Sequence, residues 1–498
     1  MMSLALLMPS VYAAEGEMGA FGGISPGVKM ETLTELAQTS KKKAVSKYTL
    51  PYKENIYLTG QAEPVEGTIE IKPGKGIDQS AGQGTYTETY KMTAQNSDNT
   101  VKLTRNITTE TKYIYEADRR QATKTTTLKK WSEIVTVNGQ TYKLDDKLSD
   151  FSKSILEDYT PGVLYYRGDI HYTAVYESVG GQGDENVTIS VSAPIYGYEQ
   201  AYAKSETQKR SITINLGGGE GYAIEETPTF TVYRDIEYGA NEPTAISMAG
   251  NYKEIIRSEG VLSYNILQGS QSLYEDDYTG MMSVEGGSVL DQLSYPTTLK
   301  LNGHPAESHI KKMYSMKIFD EPANTFATNK IVTKKEYIAM LVKALKIQLP
   351  EEQISSKKKS AKKEEVVSPF TDVSTTDTYY KYLVAAYEAG LVSGGKLSGN
   401  TPLTREMMYV LNVKALGLER LGIGTSDAYT PFVDDQQISS WAKSSLYAAS
   451  KLGMLTPSNG YALPKKTVTK AECATLLDQF TQYLRYDLQK DYNEKMLL

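Results

Sequence analysis

Two hydrophobic rhythms divide the chain near residue 300. From about 50 to 300, apolar residues alternate with polar ones. Val101, Leu103, Arg105 and Ile107 fall on one face, as do Val187, Ile189 and Val191, and then Ile212, Ile214 and Leu216. A period of two in segments rich in Val, Ile, Thr and Tyr predicts antiparallel strands with one wetted face. Val137-Asn138-Gly139-Gln140 predicts a two-residue hairpin, and the glycine-rich stretches 179–186 and 216–222 predict further turns. The charged stretch 147–159 reads instead as helical and, with Pro161-Gly162 behind it, marks a break. The expectation is an all-β, antiparallel, β-sandwich-like region of one or two domains, divided as 50–160 and 161–300.

Beyond 300 the period becomes helical. IVTKKEYIAMLVKAL (331–345), NTPLTREMMYVLNVKAL (400–416) and TVTKAECATLLDQF (467–480) each set a Thr ahead of a basic residue and an apolar helical face. Thr333, Thr404 and Thr469 suit the N-cap, where the hydroxyl accepts from a free N–H of the first turn. Glu336 and Glu472 stand three residues after their Thr and complete a capping box, while Met407 takes that place in the middle copy and Glu406 sits one residue early. An amphipathic stretch precedes each capped helix, at 307–319, 380–392 and 441–455, and Gly390 and Gly453 suit left-handed C-caps. The unit is helix, loop, capped helix, repeated three times. A helix pair of this size cannot bury its own apolar face, so the three copies are expected to pack together.

These units resemble S-layer homology (SLH) domains, the cell-wall anchoring modules of Gram-positive surface proteins. The third copy keeps Phe432, Asp434, Trp441-Ala442, Gly453 and Val468-Thr469-Lys470-Ala471-Glu472. The second keeps Phe370-Thr371-Asp372-Val373, Gly390 and Leu403-Thr404-Arg405-Glu406, with Thr378 at the Trp position beside Tyr379 and Tyr380. The first keeps His304, Ala306 and Val332-Thr333-Lys334-Lys335-Glu336, with Pro305 at the Trp position and Lys317 at the Gly position. The resemblance implies an all-α, three-repeat pseudo-trimer whose grooves bind an anionic, often pyruvylated, secondary cell-wall polysaccharide. It implies that Arg405, Lys334 and Lys470 contact the anion, aided by the helix N-termini, and that Asp372, Asp434 and Trp441 build the groove. Arg supplies a bidentate fork that Lys lacks, and only the second copy has Arg.

The remaining chemistry narrows the function further. Across 498 residues the net charge is −6, which argues against a nucleic-acid partner. MMSLALLMPSVYAAEG reads as a secretion leader over 1–13, cut after Val11-Tyr12-Ala13, although no basic residue precedes Lys29. Residues 14–49 read as an N-terminal helix and linker, with the helix at 27–44. No stretch reaches the roughly 18–20 apolar residues of a membrane span. No Leu-Pro-x-Thr-Gly sorting signal appears, so surface attachment is expected to be non-covalent. The repeats divide as 301–350, a charged linker 351–367, 368–424, and 425–498 with a C-terminal helix.

The single cysteine, Cys473, is expected to be a small buried hydrophobe. His171, His304 and His309 form no triad or metal pattern, and Gly217-Gly218-Gly219-Glu220-Gly221 lacks the Lys-Ser/Thr of a phosphate loop. Arg167-Gly168-Asp169 is read as a chance tripeptide. Glu275-Asp276-Asp277 and Asp434-Asp435 lack EF-hand spacing, and no metal or cofactor is expected. The 38 Tyr against 8 Phe are expected on half-exposed sheet faces. No catalytic constellation stands out. The chain therefore reads as a non-enzymatic, secreted surface protein, an S-layer or wall-associated component capable of self-association. The alternative is an SLH-anchored polysaccharide-binding protein or glycan-active enzyme that uses its β region.

Overall fold

The computed structural model describes residues 21–26, 47–59, 61–180, 186–217, 220–239, 251–268, 279–296, 298–301, 303–350, 368–422 and 430–492. The expected leader 1–13, the helix at 27–44, the linker 351–367 and the acidic loop 275–277 lie outside them.

The alternating half forms strands throughout. They are β1 (Tyr48–Ile56), β2 (Glu63–Lys72), β3 (Gln83–Gln95), β4 (Val101–Glu116), β5 (Gln121–Val137), β6 (Gln140–Leu144) and β7 (Asp150–Tyr159). There follow β8 (Val163–Val179), β9 (Val187–Gln200), β10 (Ala203–Gln208), β11 (Arg210–Leu216), β12 (Glu220–Tyr238), β13 (Asn251–Gln268) and β14 (Thr279–Ser294). All belong to one antiparallel sheet, ordered β1-β2-β3-β4-β5-β6-β8-β9-β10-β12-β13-β14, with β7 between β5 and β8 and β11 between β9 and β12. The expected boundary at 160/161 is only the β7–β8 hairpin, where Tyr159 pairs with Leu164.

The expected helix at 147–159 is strand β7. Its inward positions are Phe151, Lys153, Ile155 and Glu157, so two charged residues on the buried face hide the alternation. Glu157 is paired there with Lys124 of β5. The hairpin at Asn138-Gly139 is as expected: both residues have positive φ, 50° and 84°, and Val137 pairs with Gln140. Arg167-Gly168-Asp169 lies in mid-strand, paired on both sides by β7 and β9.

The sheet curls until its ends meet. The hydroxyl of Tyr57, just after β1, donates to Glu226 Oε1 on β12 at 2.7 Å, and Tyr222 donates to the Tyr57 carbonyl at 3.2 Å. One buried cluster fills the curl from Phe21 to Ile266. Its inner face is partly polar. Arg105 pairs with Glu54 (2.9 Å) and Glu133 (2.6 Å), and Arg210 pairs with Glu226 (2.9 Å). Burial pushes the Glu54 and Glu226 carboxyls up, against the pull of Arg105 on the first and Arg210 on the second. Many tyrosines turn inward rather than lying half exposed, because their hydroxyls satisfy these carboxylates. Tyr52 donates to Glu54, Tyr166 to Glu206 and Tyr176 to Glu133.

Among the described residues six α-helices of nine or more residues follow: α1 (Glu307–Ser315), α2 (Lys334–Ala344), α3 (Tyr380–Glu388), α4 (Arg405–Leu416), α5 (Ser440–Lys451) and α6 (Lys470–Gln482). A π turn, Tyr483–Asp487, and a short helix, Leu488–Asp491, continue α6. Among the described residues no helix is long and apolar enough to cross a membrane.

The helices share a core with the sheet. Tyr202 of the β9–β10 turn donates to the Ala344 carbonyl at 2.6 Å and lies 4.1 Å from the Arg485 guanidinium. Gly162 N–H donates to the Ala415 carbonyl at 2.7 Å. Tyr492 stacks on Tyr165 (5.6 Å between centroids) and meets Tyr198 edge-on at 5.4 Å. Removing a buried aromatic ring costs about 3–5 kcal/mol. Trp131 in the sheet and Trp441 in the helices, each read with the other replaced by Phe, are expected to melt at one temperature in the native chain. Tyr492→Ala is expected to split them into two transitions in a fluorescence melt.

Candidate functional site

Each capped helix begins as its sequence dictates. Thr333 and Thr469 accept from the N–H of Glu336 (3.4 Å) and Glu472 (3.3 Å), whose carboxylates accept from the Thr N–H in return (2.7 and 3.0 Å). Thr404 accepts from Met407 N–H at 3.4 Å. The preceding helices end at left-handed residues, Lys317 (φ 57°), Gly390 (φ 78°) and Gly453 (φ 70°). The following N–H then reaches back to the last turn in all three: Ile318 to Met313, Leu391 to Ala386, Met454 to Ala449.

The three caps meet in a closed ring. Val332 N–H donates to the Val468 carbonyl (3.0 Å), Val468 to Leu403 (2.9 Å) and Leu403 to Val332 (2.8 Å). The next two N–H groups of each helix donate to the loop of the next copy. Lys334 and Lys335 reach Thr401 and Gly399, Arg405 and Glu406 reach Lys466 and Pro464, and Lys470 and Ala471 reach Lys330 and Thr328. The first-turn N–H groups are therefore committed to protein acceptors. The expected contribution of helix N-termini falls to the side chains they carry.

Those side chains lie in three junctions, each built from two copies. In the first, Lys334 Nζ donates to the Leu397 carbonyl at 2.9 Å. Asp372 holds that loop by accepting from Leu397 and Ser398 N–H, both at 2.7 Å, and these bonds hold its carboxyl below the usual range. Lys335 pairs with Asp377 (2.7 Å) and lies 5.8 Å from the Tyr379 ring. Burial pushes Lys334 down; Asp372 opposes this and Lys414 adds to it.

The second junction repeats the plan. Arg405 Nε donates to the Ala462 carbonyl at 3.0 Å, with its guanidinium 5.7 Å from the Tyr409 ring. Asp434 accepts from Ala462 (2.9 Å) and Leu463 (2.8 Å) N–H. Glu406, displaced from the capping box, instead accepts from Ser439 N–H (3.1 Å) and pairs with Lys465 (2.6 Å). That contact ties the start of α5 to the first turn of α4. Trp441, two residues beyond Ser439, is 54% exposed, whereas Trp131 is 2% exposed. Counted back from the equivalent Ala386 and Ala449, Thr378 stands at the Trp position of the first junction, and the adjacent Tyr379 supplies the ring beside Lys335.

The third junction is different. Lys470 is 3% exposed, pairs with Glu321 and lies 5.6 Å from the Phe326 ring. Its cation is spent inside the protein. Asp435 is also committed, to Lys443 (2.7 Å) and Thr430 (2.7 Å). Cys473 is buried, 3.7 Å from the Met340 sulfur, as expected of a small hydrophobe. Sequence reasoning missed Lys335, Glu406, Lys465 and Glu321; the early Glu406 was the available signal for one of them.

The family model for the S-layer homology domain matches residues 369–406, from the start of the second copy to Arg405 and Glu406. The chain carries an S-layer homology domain. It is also similar to Exoglucanase XynX of Acetivibrio thermocellus, 33% identical over 177 residues, covering 34% of this chain and 15% of that protein. An Amylopullulanase of Thermoanaerobacterium thermosulfurigenes is 32% identical over 177 residues, covering 34% of this chain and 9% of the relative. An Endoglucanase of Bacillus sp. (strain KSM-635) is 27% identical over 174 residues, covering 34% and 17%. The chain spans less than a fifth of the length of each relative.

Two outcomes are expected within the SLH region. Glu321→Gln leaves Lys470 buried without its counter-charge and is expected to cost about 3–5 kcal/mol in urea unfolding, with Glu321→Gln/Lys470→Met recovering most of it. Lys334 is expected to titrate below an ordinary lysine by NMR of labelled side chains. Asp372→Asn removes the opposing charge, so it is expected to move that titration lower still.

Proposed function

We propose that the chain is a secreted wall-associated protein, held non-covalently by an anionic, pyruvylated secondary cell-wall polysaccharide bound between its helix pairs. The three pairs act as three SLH repeats in a pseudo-trimer. The ring at Val332, Leu403 and Val468 and the first-helix-to-second-helix packing between neighbouring copies support this reading. The observation that carries it is the second junction, where a half-buried Arg405 is held on the Ala462 carbonyl and the adjacent Glu406 holds Ser439, at the start of the next copy's helix that carries the exposed Trp441. A guanidinium fork suits a carboxylate or ketal, and an indole face suits a sugar ring.

The first junction is the weaker partner, with Lys334 and Tyr379, and the third is closed by Glu321. The β region is the outward part, a structural coat component capable of self-association. This reading gives it no catalytic step. Its buried carboxylates Glu54, Glu133 and Glu226 are each tied to Arg105 or Arg210, and Glu157 is tied to Lys124. The names of the relatives speak for enzymes of far greater length and carry no catalytic residue to this chain.

Because the helices share a core with the sheet, the test uses the intact chain in co-sedimentation with purified walls. Binding is expected to vanish on walls stripped of secondary polysaccharide. A charged hydrogen bond is worth about 1.5–3 kcal/mol, so Arg405→Ala is expected to weaken binding by roughly 10- to 100-fold. Lys334→Ala is expected to weaken it less, and Lys470→Met to leave affinity unchanged. Equal binding to stripped walls, or an unaffected Arg405→Ala variant, contradicts the reading.

A further inference from the structure

The segment Phe21–Pro26 lies inside the curled sheet, and nothing in the wall-anchoring reading uses it. Arg105 Nη1 donates to the Phe21 carbonyl, and Arg210 donates to the carbonyls of Gly22 (Nη1, 2.5 Å) and Gly23 (Nη2, 3.3 Å). Both arginine side chains are at most 5% exposed. Ile24 and Lys53 of β1 exchange two backbone hydrogen bonds, at 2.7 and 3.0 Å. Ile24 then packs with Leu262 of β13 and Val284 of β14. The segment thus spans from the first strand to the last two.

The fit excludes side chains at two positions. A Cβ on Gly22 would stand 2.2 Å from Glu54 Oε1, and that residue has φ +112°. A Cβ on Gly23 would stand 2.3 Å from the Tyr52 ring and 2.5 Å from the Lys53 carbonyl. On the far side the chain passes so close that a Cβ on Gly260 would meet the Ser25 carbonyl at 2.7 Å. Two charged donors that read carbonyls, a two-bond backbone bridge and a passage only glycine can thread together make a site for extended main chain.

We infer that this slot is a peptide-recognition site for a Phe-Gly-Gly-Ile-Ser-Pro segment, filled by the chain's own residues 21–26, and that its filling latches the first strand to the last two. Both guanidiniums also pair with carboxylates of the sheet, Arg105 with Glu54 and Glu133 and Arg210 with Glu226, so the slot's donors are held by the sheet as well as by the segment. A tethered segment has an effective concentration near millimolar, so micromolar free peptide cannot displace it from the native chain.

The test is a full-length Gly22→Ala/Gly23→Ala chain, in which the tethered segment no longer fits, titrated with a fluorescent peptide of residues 19–27. The variant is expected to melt lower than the native chain and to bind the peptide one-to-one in anisotropy, with its melting temperature restored. The native chain is expected not to bind it, and the same peptide carrying Gly23→Ala is expected to bind at least tenfold more weakly. A folded variant that ignores the peptide, or that melts like the native chain, overturns the inference. Should the variant not fold, a native full-length chain with a protease site placed at 30–36 decides the matter. After cleavage the N-terminal fragment is expected to co-elute with the body and to exchange with excess labelled peptide; loss of the fragment on gel filtration overturns the inference.

Discussion

Three backbone hydrogen bonds, closing a ring through Val332, Leu403 and Val468, fix the helical half of the molecule. They hold three Thr-capped helix starts around one point and turn the next residue of each helix toward the neighbouring copy. Lys334, Arg405 and Lys470 therefore occupy equivalent places, and each meets a loop belonging to another copy. Every junction needs two copies, so no single helix pair carries one. The axis is filled by side chains that fit only when all three copies are present: the Tyr337 hydroxyl donates to Asn412 at 2.5 Å, and Cys473 rests on Met340.

The other half supports itself differently. With one cysteine there is no intramolecular disulfide to stiffen a long curled sheet. Burial and buried ion pairs take that role. Removing one partner of such a pair is costly because the other is left charged in a poor solvent. Tyr52, Tyr57, Tyr166 and Tyr176 make the polar interior tolerable, since each ring fills apolar space while its hydroxyl donates to a carboxylate. The same residue type joins the two halves, where Tyr165, Tyr198 and Tyr202 receive Tyr492 and Arg485 from the end of the chain. The helical core takes in Val163, Tyr198, Tyr202 and Ala203 from the sheet, so the two halves are fixed relative to each other.

Local chemistry was legible in the sequence. The Thr caps, the Glu of two capping boxes, Gly390, Gly453 and the Asn138-Gly139 hairpin depend on neighbours within a few residues, and each stands where its spacing placed it. Strand β7 was not legible, because Lys153 and Glu157 face inward and the cation that pairs with Glu157, Lys124, lies on another strand. The fates of Lys334 and Lys470 were not legible either. Both follow a capping Thr, yet one keeps its amine at an open loop and the other is neutralised by Glu321, a residue 149 positions earlier in the chain. The Tyr–Glu pairs two residues apart, at 52/54, 88/90 and 157/159, were a readable sign of a polar interior. The single continuous sheet was hidden because Pro161-Gly162 marks a hairpin as readily as a domain boundary.

Through the Val332, Leu403 and Val468 ring the three helix pairs close on one another as one body. Hydrogen exchange of the intact chain, followed by mass spectrometry on peptides covering 330–336, 401–407 and 466–472, tests it most directly. The account predicts that all three junctions are strongly protected and lose protection together as denaturant rises. One junction exchanging well ahead of the other two would contradict it, because a closed ring cannot open at a single bond and leave its neighbours in place.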